Sequence, residues 1–591
     1  MKLSDYVIEF IINHDVHHIF EVIGGAITHL LDSANGRKDI QCVSVHHEQT
    51  GAFAAEAYAR MNGKLGVAMA TSGPGALNLL TGVGSCYFDS VPCLFITGQV
   101  NTYEYKFDKA VRQIGFQETD IVSVAKPLTK YAELVVDAQK IRFHLEKAVF
   151  LAQNGRPGPV LLDLPMNIQR AQIDPQNLTS FFDTDEYRRM LQTEPLDHQS
   201  IIGVIDSIRD AKRPVILAGG GVRTSGAVAD FQDVVQITGI PVVTSLMGLD
   251  ALFHDHPAFF GMIGSYGNRY SNLTVANADL VLILGSRLDS RQTGTRPATF
   301  ARAAKKIHVD VDPLELNAKV HAEIAIHADL KDFLKALKKG LSGYQKSDLS
   351  AWYATIDGFR KKYPTVLPAP MTGEINPNQF MELLSHRSGE GDVICLDVGQ
   401  NQMWAAQSFV LKKAQRMITS GGMGSMGFAL PAALGVAKSS NRRTIVIAGD
   451  GGIQMNIQDL DTIVQHRLPV KIFIMNNGCL GMVRQMQDMY FGGRQQSTVI
   501  GYTCPNLTKI AEAYGIPSFA IAAMDRAEDA INKALTGEGP AFVEVMLSQD
   551  TQVNPKLVVN RPIEDMSPHL DRQELRDIML IDLAEEKDFE K

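Results

Sequence analysis

The sequence predicts an α/β protein of three domains, each a parallel sheet covered by helices, and three observations carry that reading. Short apolar, β-branched runs alternate with helical stretches from one end of the chain to the other. The runs fall into three groups separated by polar, proline-bearing stretches. The chain's 591 residues are also too many for one hydrophobic core, since such cores stop growing beyond about 250–300 residues.

Taken in order, residues 66–70, 93–97 and 160–163 read as strands of a first domain, 1–175. The stretch 167–200 is polar, carries Pro175 and Pro195, and reads as a linker. A second domain, 196–341, holds the strands 215–218, 280–284 and 307–311. A second linker, 342–376, carries the basic Arg360-Lys361-Lys362 cluster with Pro364, Pro368 and Pro370. A third domain, 375–550, holds the strands 445–448, 471–475 and 541–546. The remaining 551–591 form a tail whose last part, 572–591, reads as a charged amphipathic helix.

Composition narrows the function. The net charge of −8 comes from 57 basic and 65 acidic residues without large blocks of either sign, so nothing marks a surface for nucleic acid or membrane. No apolar run approaches the roughly 20 residues that cross a bilayer, and the chain is expected to be cytoplasmic. The six cysteines, at 42, 86, 93, 395, 479 and 504, have no Cys-x-x-Cys spacing, so neither a disulfide framework nor a zinc site is expected.

The most informative segment runs from Thr444-Ile-Val-Ile-Ala-Gly-Asp-Gly-Gly452 to Lys471-Ile-Phe-Ile-Met-Asn-Asn-Gly-Cys-Leu-Gly481. One strand delivers Asp450 to its carboxyl end, glycines beside it let backbone amides approach a phosphate, and the next strand delivers Asn477 to the same edge. A carboxylate and an amide oxygen suit Mg2+, which completes its shell from phosphates, water and a backbone carbonyl. In the second domain, Gly285-Ser-Arg-Leu-Asp-Ser-Arg-Gln-Thr-Gly294 follows a strand and sets two arginines at its edge, where guanidinium forks suit phosphate oxygens. Gly219-Gly220-Gly221 follows another strand, and Asp310 is placed to accept from a sugar hydroxyl.

With further words along the chain, these segments resemble the acetolactate (acetohydroxyacid) synthase branch of the thiamine-diphosphate enzymes. The words are Gly24-Gly-Ala26, His47-Glu-Gln49, Ala55-Glu-Ala-Tyr-Ala-Arg60, Thr71-Ser-Gly-Pro-Gly75, Thr97-Gly-Gln-Val100, Gly155-Arg-Pro-Gly-Pro-Val160, Val398-Gly-Gln-Asn-Gln-Met-Trp404 and Thr419-Ser-Gly-Gly-Met-Gly-Ser-Met-Gly427. The resemblance implies a pyrimidine-binding first domain, a Rossmann-like FAD-binding second domain and a pyrophosphate- and Mg2+-binding third domain. It makes Glu48 the carboxyl group that faces the cofactor's aminopyrimidine, and Gln99 a residue lining the reaction centre. The thiamine-diphosphate contacts it implies are Glu48, Gly75, Asn78, Gln400, Asn401, Gly424, Met426, Asp450, Gly451, Gly452, Asn477, Cys479, Leu480, Gly481 and Met482, with Asp450, Asn477 and Cys479 on the metal. For FAD it implies Arg156, Gly219, Gly220, Gly221, Ser245, Leu246, Tyr266, Gly267, Gly285, Ser286, Arg287, Asp289, Arg291, Asp310, Val311 and Asp329.

The implied reaction decarboxylates pyruvate and transfers the two-carbon unit to a carbonyl acceptor, giving 2-acetolactate when the acceptor is pyruvate, with the flavin structural because no net redox change occurs. Active sites between subunits of a homodimer or dimer of dimers, and room for a regulatory subunit, follow by the same resemblance. Two positions depart from the family pattern: Met166 stands where it has a lysine, and Met486 where it has a tryptophan shaping the acceptor pocket. Those departures and the tail raise the alternative of a larger acceptor such as a nucleotide-linked keto sugar. A flavin-using pyruvate oxidase is the other alternative, against which Gly24-Gly25-Ala26 and the Arg287/Arg291 pattern weigh.

Overall fold

The computed structural model describes residues 1–192, 196–367 and 373–584. Three six-stranded sheets, all parallel, account for the architecture. Parallel strands need crossovers of a dozen or more residues, and right-handed crossovers lay helices over both faces; the inner strands are accordingly buried along their whole length.

The first sheet contains β1 (His18–Val22), β2 (Gln41–Ser44), β3 (Gly66–Ala70), β4 (Cys93–Gln99), β5 (Tyr131–Leu134) and β6 (Val160–Pro165), in the spatial order β2-β1-β3-β4-β6-β5. The second contains β7 (Pro214–Ala218), β8 (Val242–Thr244), β9 (Phe259–Met262), β10 (Leu280–Leu284), β11 (Lys305–Asp310) and β12 (Ile324–His327), ordered β12-β11-β10-β7-β8-β9. Read from its far edge, that is the 3-2-1-4-5-6 order of dinucleotide-binding sheets. The third contains β13 (Val393–Leu396), β14 (Arg416–Thr419), β15 (Thr444–Gly449), β16 (Val470–Asn476), β17 (Ser518–Ile521) and β18 (Ala541–Met546), ordered β14-β13-β15-β16-β18-β17. This order repeats that of the first sheet strand for strand.

The two like domains meet through corresponding helices. Helix Glu48–Asn62 follows β2, helix Ala429–Ser440 follows β14, and the two pack against each other within one core that spans both domains. Small residues make the approach possible: a Cβ on Gly435 would lie 2.0 Å from the Ala54 carbonyl oxygen. Helix Glu48–Asn62 is buried over nearly its whole length, which its Ala52, Ala54, Ala55, Ala57 and Ala59 suit.

The stretches read as linkers are built into the domains, a correction to the sequence reading. Within the first, Phe181 is buried and the Glu146 carboxylate accepts from Ser180 Oγ and the Phe181 amide; Pro195 lies outside the described residues. The second carries helix Ser350–Lys362, whose Trp352, Ile356 and Phe359 are buried against the second sheet, the indole of Trp352 donating to the Pro214 carbonyl over 3.1 Å. That helix was missed because only three of its residues are apolar anchors amid charge; Pro368 and Pro370 lie outside the described residues. The tail crosses back over the second domain, forms a small hairpin of β19 (Lys556–Leu557) and β20 (Met566–Ser567), and adds Leu557, Ile563, Met566, Leu575 and Met579 to its core. Its helix spans only Arg572–Ile578, ending where Met579 turns into that core, and 585–591 lie outside the described residues. No described helix is long and apolar enough to cross a membrane.

Gly435→Ala should destabilise the protein by about 1–3 kcal/mol through overpacking against Ala54. Gly358→Ala, in helix Ser350–Lys362 with nothing within 4 Å of the added methyl, should stabilise it by about 0.5–1 kcal/mol. Calorimetric unfolding midpoints moving in opposite directions for the two variants would bear this out; a neutral Gly435→Ala would sink it.

Candidate active site

In open parallel sheets, ligands bind outside the carboxyl ends of strands where the strand order reverses. In the third sheet that point lies between β13 and β15, and the loops leaving β13, β15 and β16 converge there. β15 delivers Asp450, buried in the first turn of helix Asp450–Ile453. Burial pushes its carboxyl up to about 6, against the pull of the Tyr502 hydroxyl, which donates to it over 2.6 Å, and of neighbouring backbone amides. A carboxylate so desolvated, with one side-chain donor, gains from a cation placed beside it.

β16 presents Asn477, whose amide nitrogen donates to Gln400 Oε1 over 2.9 Å, leaving the amide oxygen as its free end. Gln400 opens helix Gln400–Ser408 and donates in turn to Gln485 Oε1 and the Thr551 carbonyl. Asn401 turns inward, its nitrogen bridging the carbonyls of Asp397 and Ile447 and so tying the β13 loop to β15. Cys479, Leu480, Gly481 and Met482 form the turn into helix Gly481–Tyr490. A Cβ on Gly481 would stand 2.0 Å from Gln400 Oε1 and 2.7 Å from Asn477 Nδ2, so any larger residue would push apart the hydrogen-bonded Gln400–Asn477 pair. Burial holds the Cys479 thiol up to about 11, so its backbone carbonyl, and not its sulfur, is the group a hard cation would use. Gly424 and Met426 lie on the loop after β14, and the Met426 methyl reaches over the Asp450-Gly451-Gly452 turn, 3.5 Å from a Cβ built on Gly451.

A second cluster sits in the first domain. Glu48 begins helix Glu48–Asn62, is 9% exposed, and accepts from Asn78 Nδ2 over 2.9 Å, while Gly75 lies against its other oxygen. The next turn is bound to the third domain: Thr50 Oγ1 donates to Asp459 over 2.6 Å, and Asn456 Nδ2 bridges Gln49 and the Gly427 carbonyl. Gln99, at the end of β4, gives both amide hydrogens to Asp163 and the Thr119 carbonyl and accepts from the Val100 amide. One acceptor position on Oε1 remains to it. Met166 begins the short helix after β6, and Met486 is exposed on helix Gly481–Tyr490.

A cavity of about 620 Å³ opens at the reversal of the second sheet, between β7 and β10. Of the residues expected around FAD, Gly220, Gly221, Ser245, Leu246, Tyr266, Gly285, Ser286, Arg287, Asp289, Arg291, Asp310, Val311, Asp329 and Arg156 line it. Gly219 and Gly267 stand behind its wall; a Cβ on Gly219 would lie 2.0 Å from the Gly285 carbonyl oxygen. Asp310 is buried, its carboxyl raised by desolvation; it accepts from the Asp312 amide over 2.9 Å and has His308 Nε2 4.0 Å from its other oxygen, which leaves it able to accept from a hydroxyl. The wall also takes Arg60 and Asp89 from the first domain and Met403, Thr419 and Gly421 from the third.

Several residues that shape these sites were not singled out from the sequence. Asp397, at the end of β13, accepts from the amides of Val398, Gly427 and Ala429 and clamps the Gly424–Met426 loop to the sheet. A strand-end aspartate before Gly399-Gln400 was the available signal, but β13 is only four residues long. Tyr502 and Asp89 carry no local pattern and show only in three dimensions, while Arg60 stands in the Ala55–Arg60 word without a role attached to it.

Among the described residues there is no group of three or more His, Cys, Asp or Glu side chains that could hold a metal; the site between β15 and β16 offers oxygens of mixed type instead. Comparison with known proteins gives matches along the whole chain. Residues 1–124 match the thiamine pyrophosphate enzyme N-terminal TPP binding domain, 201–337 the central domain and 397–545 the C-terminal TPP binding domain. The chain is 37% identical to acetolactate synthase 2, chloroplastic, of Nicotiana tabacum, over 96% of this chain and 85% of that protein. It is 35% identical to the acetolactate synthase large subunit of Lactococcus lactis over 95% of each chain, and 35% identical to the acetolactate synthase of Arthrospira platensis over 95% and 96%. With its three sheets each carrying the matching stretch, the chain belongs to the thiamine pyrophosphate enzymes, in the family of the acetolactate synthases.

Proposed function

We propose that the protein is an acetolactate-forming carboligase that converts two pyruvates into 2-acetolactate and CO2. The observation that carries this reading is the convergence of Asp450, Asn477 and Gln400 at one sheet edge, in a chain similar to acetolactate synthases over nearly its full length. The same full-length similarity favours pyruvate as acceptor over a nucleotide-linked keto sugar, and a transferase over a flavin-using oxidase.

Bound thiamine diphosphate supplies a thiazolium carbon able to hold the electron pair that decarboxylation leaves behind. The residues fit it. Asp450, the free oxygen of Asn477 and the Cys479 carbonyl would hold Mg2+ against the diphosphate, because these hard oxygens surround a desolvated carboxylate that lacks a counter-charge. Gln400 would steady the same group, and Gly451, Gly452 and Gly481 let backbone amides come close. Met426 would fill the space beneath the cofactor, with Gly424 offering a carbonyl. Glu48 would hold a proton at the aminopyrimidine ring nitrogen, a task for a carboxyl group kept from bulk water. Gln99, an amide already anchored on Asp163, orients and accepts but exchanges no proton.

Glu48 and the Asp450 cluster sit in different domains, and in our reading Glu48 of one copy completes the third-domain site of another, in a homodimer or dimer of dimers. Leu77, Met423 and Met455, beside these clusters, are large, apolar and exposed, as a face awaiting a partner would be. The central cavity we assign to FAD, held by Arg156, Arg287, Arg291 and Asp310 in a structural role. The designation of the Lactococcus relative as a large subunit leaves room for a regulatory subunit here. The six unpaired cysteines suit a reducing compartment such as the cytoplasm.

Glu48→Gln should keep the fold and most cofactor affinity yet slow exchange of the cofactor's C2 proton by at least about a hundredfold; near-normal exchange by NMR would remove Glu48 from this role. Asp450→Ala should abolish Mg2+-dependent binding of thiamine diphosphate, since the nearby carboxylates of Asp397 and Glu544 are engaged by backbone amides and by Asn476, and unchanged affinity by calorimetry would misplace the metal. The purified protein should be yellow and stay so through anaerobic turnover of pyruvate; bleaching of the flavin absorbance in step with pyruvate consumption would support an oxidase.

A further inference from the structure

The loop between β14 and helix Ala429–Ser440 is held at two points. Its far end is clamped by Asp397, which accepts from the Gly427 and Ala429 amides over 2.9 and 3.2 Å. Its near end is clamped from another domain: Asp89 Oδ2 accepts from the Gly421 amide over 2.9 Å, and Asp89 Oδ1 from the Gly422 amide over 2.6 Å. Gly424 and Met426 lie between the two clamps, and Gly424 and Gly427 take φ of +68° and +80°, so the loop's course depends on where its ends are fixed.

Asp89 is itself held by the Arg60 guanidinium over 2.9 Å, and Arg60 also donates to Glu56 and, over 2.8 Å, to the Thr419 carbonyl just before the loop. The side chains of Arg60, Glu56 and Asp89 are 12%, 0% and 1% exposed. Arg60, Asp89, Thr419 and Gly421 also form part of the wall of the 620 Å³ cavity. The same hydrogen-bonded unit therefore faces the cavity on one side and fixes the Gly424–Met426 loop on the other.

We propose that Asp89 is a positioning residue that couples the central cavity to the Gly424–Met426 loop, so that a dinucleotide in the cavity and thiamine diphosphate at the third sheet bind with positive linkage. This rests on the assignment of the two sites above. It gives a cofactor with no redox task a use: filling the cavity restrains the Arg60–Asp89 unit, and the loop is then already ordered when thiamine diphosphate arrives. Linkage is reciprocal, so each ligand must tighten the other by the same factor.

The test is calorimetric titration of the apoenzyme with thiamine diphosphate at saturating Mg2+, with and without FAD, and the converse titration with FAD. In the wild type each affinity should rise about tenfold when the other site is filled, within the usual range of such couplings. Asp89→Asn keeps the shape but replaces one acceptor oxygen by a donor, and the factor should fall toward one while both ligands still bind singly. Equal thiamine-diphosphate affinities with and without FAD in the wild type, or full linkage in Asp89→Asn, would overturn the proposal. Failure of the wild type to take up FAD at all would overturn the assignment of the cavity, and the linkage with it. Should Asp89→Asn not fold, hydrogen exchange on the wild type decides: FAD alone should slow exchange across residues 421–427, and unchanged exchange there counts against the coupling.

Discussion

The close approach of helix Glu48–Asn62 to helix Ala429–Ser440 sets the frame for the chemistry. Two buried helices rich in alanine and glycine can come near enough for backbone to touch backbone, as at Ala54 and Gly435. One helix begins at Glu48; the other begins where the Gly424–Met426 loop ends. Their contact thus fixes the first-domain carboxylate and the third-domain loop relative to one body. A bulkier residue at the crossing would displace not just two helices but the first-domain carboxylate and the third-domain loop that they carry, because protein interiors transmit such strain instead of absorbing it.

Buried carboxylates do the detailed positioning, and they divide by what satisfies them. Asp397 is surrounded by three backbone amides and serves as a fastener. Asp89 shares amides with a guanidinium and joins two domains. Asp163 anchors Gln99 and Thr97, and burial raises its carboxyl to about 7. Asp450 alone of these four reaches toward a ligand edge with a single hydroxyl partner from a side chain. What sets Asp450 apart from the other three is unmet hydrogen-bonding capacity, not burial.

The sequence revealed the interior of each sheet and not its flanks. The runs it marks are β3, β4 and β6, β11, β10 and β7, and β15, β16 and β18, which in every case are three adjacent inner strands. Such strands are covered on both faces and read as unbroken apolar runs. The strands it passes over are short or mixed: β8 has three residues, β13 four, and β1 is interrupted by Glu21. At the sites, residues carried by glycine-rich turns after inner strands, such as Asp450 and Gly285, could be found in the sequence because turn chemistry is local. Asp89 and Tyr502 could not, since their partners lie 332 and 52 residues away. The common strand order of the first and third domains was equally hidden, for topology repeats without any repeat of side chains.

The wall of the large cavity draws on residues from Ala59 to Gly421, with all three domains contributing. A ligand that needed the whole wall would find it complete only once the third domain has been made and docked. Uptake of such a ligand would work as a late lock, since one that binds only the finished assembly stabilises all three domains at once, to a degree set by its free concentration relative to its dissociation constant. Cellular supply of that ligand would govern how long the completed chain survives proteolysis, independently of how fast it turns over substrate.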